Sequence, residues 1–474
     1  MRKAKIVATL GPASRDPAIL SRLIRAGVDV ARLNFSHGTH AEHEALFHAV
    51  RAAAAEAGRP VAILADLCGP KLRLGKVEGG AVLLEKGATI EIVSGQGDSF
   101  VGTSQRVSTS YDELARDVRP GHRLLIDDGR IVLRVKESAG DVVTCQVEVN
   151  GVLKDKKGLN LPGVALSVPS LTPKDRDDLR FATALGVDYF ALSFVRCADD
   201  VRAAKLLAGD VPVIAKIEKP EAIDHIEEIV DASDGVMVAR GDLGVEAGFE
   251  KVPLLQKRII RTTNRRGKVV ITATQMLESM VQNPAPTRAE VSDVANAVLD
   301  GTDALMLSGE TAAGAYPVEA VEQMDTIIRE VEGSDLYASL PAPEELLYPT
   351  FSTAIADAAV RAARDIDLKA IAVYTETGHS AAVVSEYRPR AAIVALSSHQ
   401  VVLNRLALQW GVLPLKSEWV ETLDALFDQA ERVLVGQGLV TAGDSVAITF
   451  GMERGSFART NTLKLWTVGA PQGQ

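Results

Sequence analysis

Arg32, Asn34 and Ser36 are spaced by two at the end of the apolar run VDVARLNFS. In an extended segment alternate side chains share a face, so the three project together. The pattern recurs along the chain. Lys216 and Glu218 end VPVIAKIE, Arg240 and Asp242 follow GVMVA, Thr274 ends VVITAT, and Ser308 and Glu310 end ALMLSGE. Five apolar segments that each finish in polar residues point two arginines, a lysine and several carboxylates into one mouth. Glu218 and Asp242 are too few to cage a cation, but two carboxylates hold Mg²⁺ or Mn²⁺ and leave it open to water and substrate oxygens. Lys216, set among Val, Ile, Ala and Pro, is either half of an ion pair or a cation placed where negative charge develops. Backbone N–H groups around Gly241 can bind a carboxylate. Arg32, Lys216 and a divalent metal suit an anionic phosphorylated substrate, so the chemistry is phosphoryl transfer or enolate formation.

Such residues need a scaffold that brings strand ends together. Short β-branched runs at Lys5–Leu10, Val28–Phe35, Val61–Asp66, Tyr189–Phe194, Val211–Glu218, Gly235–Ala239, Val269–Thr274 and Ala304–Ser308 alternate with helical patterns that close on glycine. Strand–helix–strand repetition means parallel pairing with right-handed crossovers. The expected fold is α/β, a (β/α)8 barrel whose active site lies at the C-terminal strand ends, with an open doubly wound sheet as the alternative. Between the third and fourth runs the texture changes. Period-two alternation broken by GG, DDG and NG predicts antiparallel hairpins, a β-domain placed over the barrel mouth as a lid. A polar, proline-bearing stretch, EGSDLYASLPAPEELLYPT, then precedes a second α/β pattern with strands KAIAVYT, AAIVALS, DSVAITF and LKLWTV. The expected domains are residues 1–69 with 168–335 (barrel), 70–167 (lid) and 345–474 (C-terminal α/β).

Composition narrows the classes. The 474 residues carry 52 Lys and Arg against 62 Asp and Glu, a net charge of −10, which opposes general nucleic-acid binding. No run reaches the ~18 apolar residues of a membrane span. Cys68, Cys145 and Cys197 lie far apart without CxxC spacing, which suits a reducing compartment, so the expected location is the cytoplasm. No GxxxxGK[ST] occurs, and the GQG of SGQGDS reads as a hairpin turn rather than a dinucleotide fingerprint. His37, His40 and His43 have ligand-compatible spacing at a helix start, but no cysteine or further acid joins them, and we read them as solvated histidines.

These strand-end segments resemble the pyruvate kinase family. The matching words include KIVATLGPAS, ARLNFSHGTHAEH, KGLNLPGV, AKIEKPEAI, MVARGDLGVE, ITATQMLESM and the late TNT, in family order from residue 3 to residue 462. The resemblance implies conversion of phosphoenolpyruvate and ADP to pyruvate and ATP by a cytoplasmic homotetramer. It makes Arg32 the phosphate-holding arginine and Lys216 the transition-state lysine. Glu218 and Asp242 become the Mg²⁺ (or Mn²⁺) ligands, and Gly241, Asp242 and Thr274 the contacts to the substrate carboxylate. Thr274 is also near the proton path to the enolate. Asn34, Ser36, His37, Arg73 and Lys157 correspond to nucleotide-binding positions. The lid and the positions Arg73 and Lys157 disfavour a carbon–carbon lyase at pyruvate enolate. The intact set Lys216, Glu218, Asp242 and Thr274 disfavours a non-catalytic sensor.

Two segments depart from the family. Its potassium site uses Asn, Ser, Asp and a Thr carbonyl, which here correspond to Asn34, Ser36, Asp66 and Leu67, and its usual DTKGPE reads DLCGPK. Lys71 thus replaces an acid, and two like charges at ~5 Å and an effective dielectric near 20 repel by about 3 kcal/mol. The expectation is that the Lys71 ammonium substitutes for K⁺, so that no monovalent cation is required; the alternative is that Lys71 points to solvent and K⁺ still binds on Asn34, Ser36 and Asp66. In the C-terminal domain Thr375, Thr377, Gly378 and Ser380 open a helix after a strand, where backbone N–H groups can hold a phosphate. The family's corresponding loop often binds a sugar-phosphate activator. Glu376 opposes a phosphate there and GMERGSFARTNT departs from the family's effector loop, so a monophosphate suits the site better than a bisphosphate. Thr377 as a simple helix cap is the alternative.

Overall fold

The computed structural model describes residues 2–340, 347, 349–451 and 460–470. Most of GMERGSFARTNT, residues 452–459, lies outside the described residues. Eight parallel strands close into a barrel in chain order: Lys5–Thr9, Val30–Asn34, Ala62–Asp66, Tyr189–Leu192, Val213–Ile217, Gly235–Ala239, Val269–Ala273 and Ala304–Leu307. The eighth pairs with the first, Ala304 to Leu307 lying opposite Lys5 to Ala8. The helices between them begin on side chains that cap the free amides of the first turn, as at Thr39 with Glu42, Thr172 with Asp175 and Thr287 with Glu290. Inside the barrel, Val7, Val30, Leu64, Ile214, Met237 and Ile271 belong to one buried cluster. Space there is short: a Cβ on Gly235 would lie 2.5 Å from Val269 Cγ1 and 2.7 Å from Ile214 Cδ1, so the sixth strand starts on glycine.

Between the third and fourth strands the chain builds a separate β-unit with its own core, including Leu74, Ile90, Leu124, Ile126 and Val147. Ala81–Leu84 pairs with Gly151–Lys154. A six-stranded sheet runs in the order Leu159–Asn160, Arg123–Ile126, Ile131–Ala139, Val142–Val149, Thr89–Val93, Arg106–Ser108. One pair departs from the hairpin expectation. Thr89–Val93 and Arg106–Ser108 are parallel, because the glycine-bearing connection between them crosses over instead of turning back.

The C-terminal unit is a five-stranded sheet ordered Val412–Lys416, Ala392–Ser397, Ala370–Tyr374, Ser445–Phe450, Thr462–Thr467, with only the last pair antiparallel. Val412–Lys416 was not among the expected strands. It contains Pro414, which an edge position tolerates because one side of that strand has no ladder to complete. This unit seals the bottom of the barrel. Ala407 and Leu408 join the barrel's inner cluster, Tyr189 Oη donates to Arg405 O at 2.8 Å, and Lys5 Nζ donates to Val412 O at 2.8 Å. The opposite end, where the strands finish, is left to the β-unit.

Candidate active site

Three strand ends build a buried charge network at the upper mouth. Arg32 lies near the end of the second strand; its Nε donates to Asp66 Oδ2 at 2.6 Å and its Nη1 to Thr9 Oγ1 at 2.8 Å, and its Nη2 has no partner among the described residues. Asp66 ends the third strand. Lys216, in the fifth, donates from Nζ to Asp66 Oδ1 at 3.1 Å and to Ser193 Oγ at 2.7 Å, and lies 3.0 Å from Glu218 Oε1. Burial by itself favours the neutral carboxyl of Asp66, but Lys216 and then Arg32 outweigh it and hold the group below the usual aspartate range. Burial likewise opposes the Lys216 ammonium, yet Asp66 and Glu218 raise its pKa above the ordinary lysine value, so it is protonated at every physiological pH.

Glu218 is raised, chiefly by burial; Lys216 opposes this and the nearby charge of Asp242 adds to it. Its second oxygen accepts Phe194 N–H at 2.7 Å. Asp242 lies in the first turn of the helix Arg240–Ala247, and its carboxylate makes no hydrogen bond or ion pair with another described residue. One carboxylate held by a lysine and a facing one with no partner are a donor set that fits a hard divalent cation. Among the described residues no group of three or more His, Cys, Asp or Glu side chains converges as a metal cage, here or elsewhere.

Thr274 sits just beyond the seventh strand with φ +71°, a conformation that a β-branched residue adopts only under strain. The twist brings its Oγ1 to Gly241 N–H, 2.8 Å away, and to Ala273 O, to which it donates at 2.6 Å. Arg240 departs from the sequence expectation. It does not enter the mouth but turns into the wall, donating to Thr274 O at 2.6 Å and to Asp293 Oδ1 at 2.7 Å, and thereby holds the strained turn. The strand has already ended at Ala239, so helical rather than two-residue spacing places Arg240 and Asp242. Glu310 is likewise spent on backbone, accepting Ser308 N–H of its own loop at 2.7 Å and Leu277 N–H of the loop after the seventh strand at 3.1 Å.

The nucleotide candidates lie along the lid side. Arg73 Nη1 donates to Lys156 O at 3.0 Å, and Lys157 Nζ lies 2.7 Å from Asp127 Oδ1. His37 is lowered by partial desolvation and then by the charges of Arg73, Lys71 and Arg32, so these groups share one electrostatic neighbourhood. His40 stacks on Phe181 and binds Asp178, while His43 stacks on Phe35 and binds His37 O. His37 and His40 are exposed, as the solvated reading expects, but His43 is buried against Phe35 and departs from that reading.

At the potassium positions, Asn34 Oδ1 accepts Ser36 N–H at 3.1 Å, Leu67 O accepts Ser193 Oγ–H at 2.7 Å, and Asp66 faces two cations. Lys71 is exposed on the wall of the cleft that Asp242 also lines. Sequence reasoning missed Thr9 and Ser193, the hydroxyls that seat Arg32 and Lys216. Both end apolar strands, and a buried polar residue in such a place was the available signal.

In the C-terminal unit Thr375, Thr377 and Ser380 line a cavity with Glu376, Glu418 and Trp419. Thr375 Oγ1 accepts Gly378 N–H at 2.9 Å, Ser380 Oγ hydrogen-bonds Thr460 Oγ1, and Glu376 pairs with His399 at 2.8 Å. Gly378, not Thr377, occupies the helix-cap position, and Thr377 Oγ1 accepts His379 N–H at 3.5 Å.

The chain matches the family models for the pyruvate kinase barrel domain over residues 1–321 and the pyruvate kinase alpha/beta domain over residues 353–466. The chain belongs to the pyruvate kinase family. It is 46% identical to pyruvate kinase of Staphylococcus saprophyticus over 99% of this chain and 81% of that protein. It is 46% identical to pyruvate kinase of Geobacillus stearothermophilus over 98% of this chain and 80% of that protein. As a pyruvate kinase family member the chain is a phosphotransferase built on the (β/α)8 barrel. No helix among the described residues is long and apolar enough to cross a membrane.

Proposed function

We propose that this protein transfers the phosphoryl group of phosphoenolpyruvate to ADP, giving pyruvate and ATP, with Mg²⁺ or Mn²⁺ on Glu218 and Asp242. The observation that carries the reading is the buried Lys216 ammonium, braced by Asp66, Ser193 and Glu218 where three strand ends meet. The bond from phosphorus to the enol oxygen breaks, a bond to a terminal ADP oxygen forms, and the enolate carbon takes a proton. A divalent ion supplies charge neutralisation for the phosphoryl oxygens. Arg32 offers its unpartnered Nη2 to the phosphate. Lys216 stays charged and stabilises negative charge on the transferring group and the enolate. Gly241, Asp242 and Thr274 would meet the substrate carboxylate, and Thr274 would guide a proton from water to the enolate carbon. Asn34, Ser36, His37, Arg73 and Lys157 receive the nucleotide.

Lys71 takes the part of a bound monovalent cation, so K⁺ is not required; the engaged oxygens of Asp66, Asn34 and Leu67 support this. The C-terminal cavity takes a sugar monophosphate on Thr375, Thr377, Gly378 and Ser380; the hydroxyls of Thr375, Thr377 and Ser380 in its lining support a small anion, and Glu376 and Glu418 beside them oppose the further charge of a bisphosphate. The assembly is a homotetramer in the cytoplasm. The test is pyruvate formation from phosphoenolpyruvate and ADP with Mg²⁺, in K⁺-free buffer and with KCl. Turnover in both is expected. Turnover only with KCl discards the role of Lys71, and none in either discards the reaction.

A further inference from the structure

In the cleft that Asp242 lines, one carboxylate ties three parts of the molecule together. Glu246 is buried, its side chain 1% exposed. Its Oε1 accepts from Lys219 Nζ at 2.7 Å and from Asn160 Nδ2 at 3.0 Å, and its Oε2 has no partner. Each donor comes from a different segment. Lys219 directly follows Glu218, and Asn160 belongs to the returning strand Leu159–Asn160 of the β-unit. Glu246 itself lies four residues, about one helical turn, after Asp242 on the helix Arg240–Ala247. Next to it, Val245 packs on Leu125 and Val132 of the β-unit. A single oxygen therefore fixes the helix that bears Asp242 against the loop that bears Glu218, and fastens the β-unit to both.

We propose that Glu246 is a positioning residue that couples the seat of the β-unit to the separation of Glu218 and Asp242. This rests on those two carboxylates being the divalent-cation site. A cation drawing them together also sets Lys219 and Glu246 in register for Asn160, so ion binding and docking of the β-unit favour each other, and by linkage each strengthens the other equally. The Oε2 with no partner fits this role: the carboxylate is held at one oxygen only, so Asn160 can detach without leaving the Lys219 ammonium unpaired.

The test uses the full-length protein and Mn²⁺ as the probe. Mn²⁺ affinity is read by electron paramagnetic resonance, and docking by hydrogen exchange of residues 159–168 with and without Mn²⁺. In the wild type Mn²⁺ slows exchange of that segment. Asn160→Ala, which leaves the buried Lys219–Glu246 pair intact, should lose most of the Mn²⁺-dependent slowing and bind Mn²⁺ a few-fold more weakly. Glu246→Gln should weaken Mn²⁺ about tenfold although it touches no metal, as loss of supporting partners does around bound ions. Asn160→Ala with wild-type Mn²⁺-dependent slowing overturns the coupling, whether or not Glu246→Gln folds. A wild type that binds no Mn²⁺ overturns instead the cation-site reading on which the inference rests.

Discussion

Lys216→Met keeps the length of the side chain and removes its charge. The ammonium now lies 3.1 Å from Asp66 Oδ1 and 3.0 Å from Glu218 Oε1. At ~3 Å and an effective dielectric of about 20, one unit charge pair is worth about 5 kcal/mol. A phosphoryl group or enolate oxygen in hydrogen-bond range of the same ammonium gains a comparable amount as its charge grows. The substitution should therefore lower kcat by about 10³–10⁴, which corresponds to about 4–5 kcal/mol of barrier. The fold has partial insurance. Asp66 keeps Arg32 at 2.6 Å, and Glu218 keeps Phe194 N–H at 2.7 Å while losing its cation. Mn²⁺ affinity should be unchanged or higher, because the lysine competes with the ion for Glu218. A coupled assay for pyruvate gives kcat, and electron paramagnetic resonance gives Mn²⁺ binding on the same preparation. A kcat within tenfold of wild type refutes the electrostatic role. A loss of activity matched by a loss of Mn²⁺ binding shows that Lys216 acts by holding the metal ligands instead.

Lys71→Glu should make activity depend on K⁺, with a roughly 10²-fold loss in K⁺-free buffer that KCl repairs, as about 3 kcal/mol implies; a salt-indifferent variant contradicts the assignment. Burial pushes Lys5 down to about 8, with Asp29 opposing it and Arg2 and Arg59 adding to it. Because the unfolded chain keeps that proton to about 10.5, stability from this group is lowest below pH 8 and rises between pH 8 and 10.5, by about 3 kcal/mol. Wild type should therefore gain on Lys5→Met across that range in urea denaturation, and curves that stay parallel refute it. Arg240→Lys loses the planar fork that holds Thr274 O and Asp293, and should cost about 2–4 kcal/mol of stability while lowering kcat with Mn²⁺ affinity intact. An unchanged melting temperature sinks that account.

The barrel was legible because buried parallel strands read as continuous apolar runs, and all eight lie where such runs occur. What the sequence hid begins where each strand stops. Extended spacing was carried through Arg240, but a helix starts at that residue, so Arg240 points into the wall and only Asp242 reaches the mouth. Nothing in VVITAT signals that Thr274 has φ +71°, since the twist is imposed by tertiary contacts, Arg240 among them. Strand Val412–Lys416 was hidden by Pro414, whose meaning depends on lying at a sheet edge. The parallel pair in the β-unit was hidden because alternation fixes which face a residue takes but not the direction of its neighbour. Glu246 was inside a motif word, yet its bonds to Asn160 and Lys219 join residues far apart in the chain.

The three mouth carboxylates divide the work by what surrounds them. Asp66 is saturated by Arg32 and Lys216 and acts on cations of the protein. The Asp242 carboxylate has no partner among the described residues and lines the cleft, with Glu218 between these extremes, held by Lys216 and Phe194 N–H. Two strained residues enforce that division. Phe194, with φ +56°, turns its N–H onto Glu218 and fixes one carboxylate oxygen; Thr274 does the same for the peptide ahead of Asp242 through Gly241 N–H. Each such conformation costs about 1–3 kcal/mol and persists because the closed barrel beneath over-determines it. These two strained turns follow the fourth and seventh strands and flank the strand ends that carry Glu218 and Asp242, so relaxing either one would spoil the geometry of those carboxylates before it unfolded the barrel.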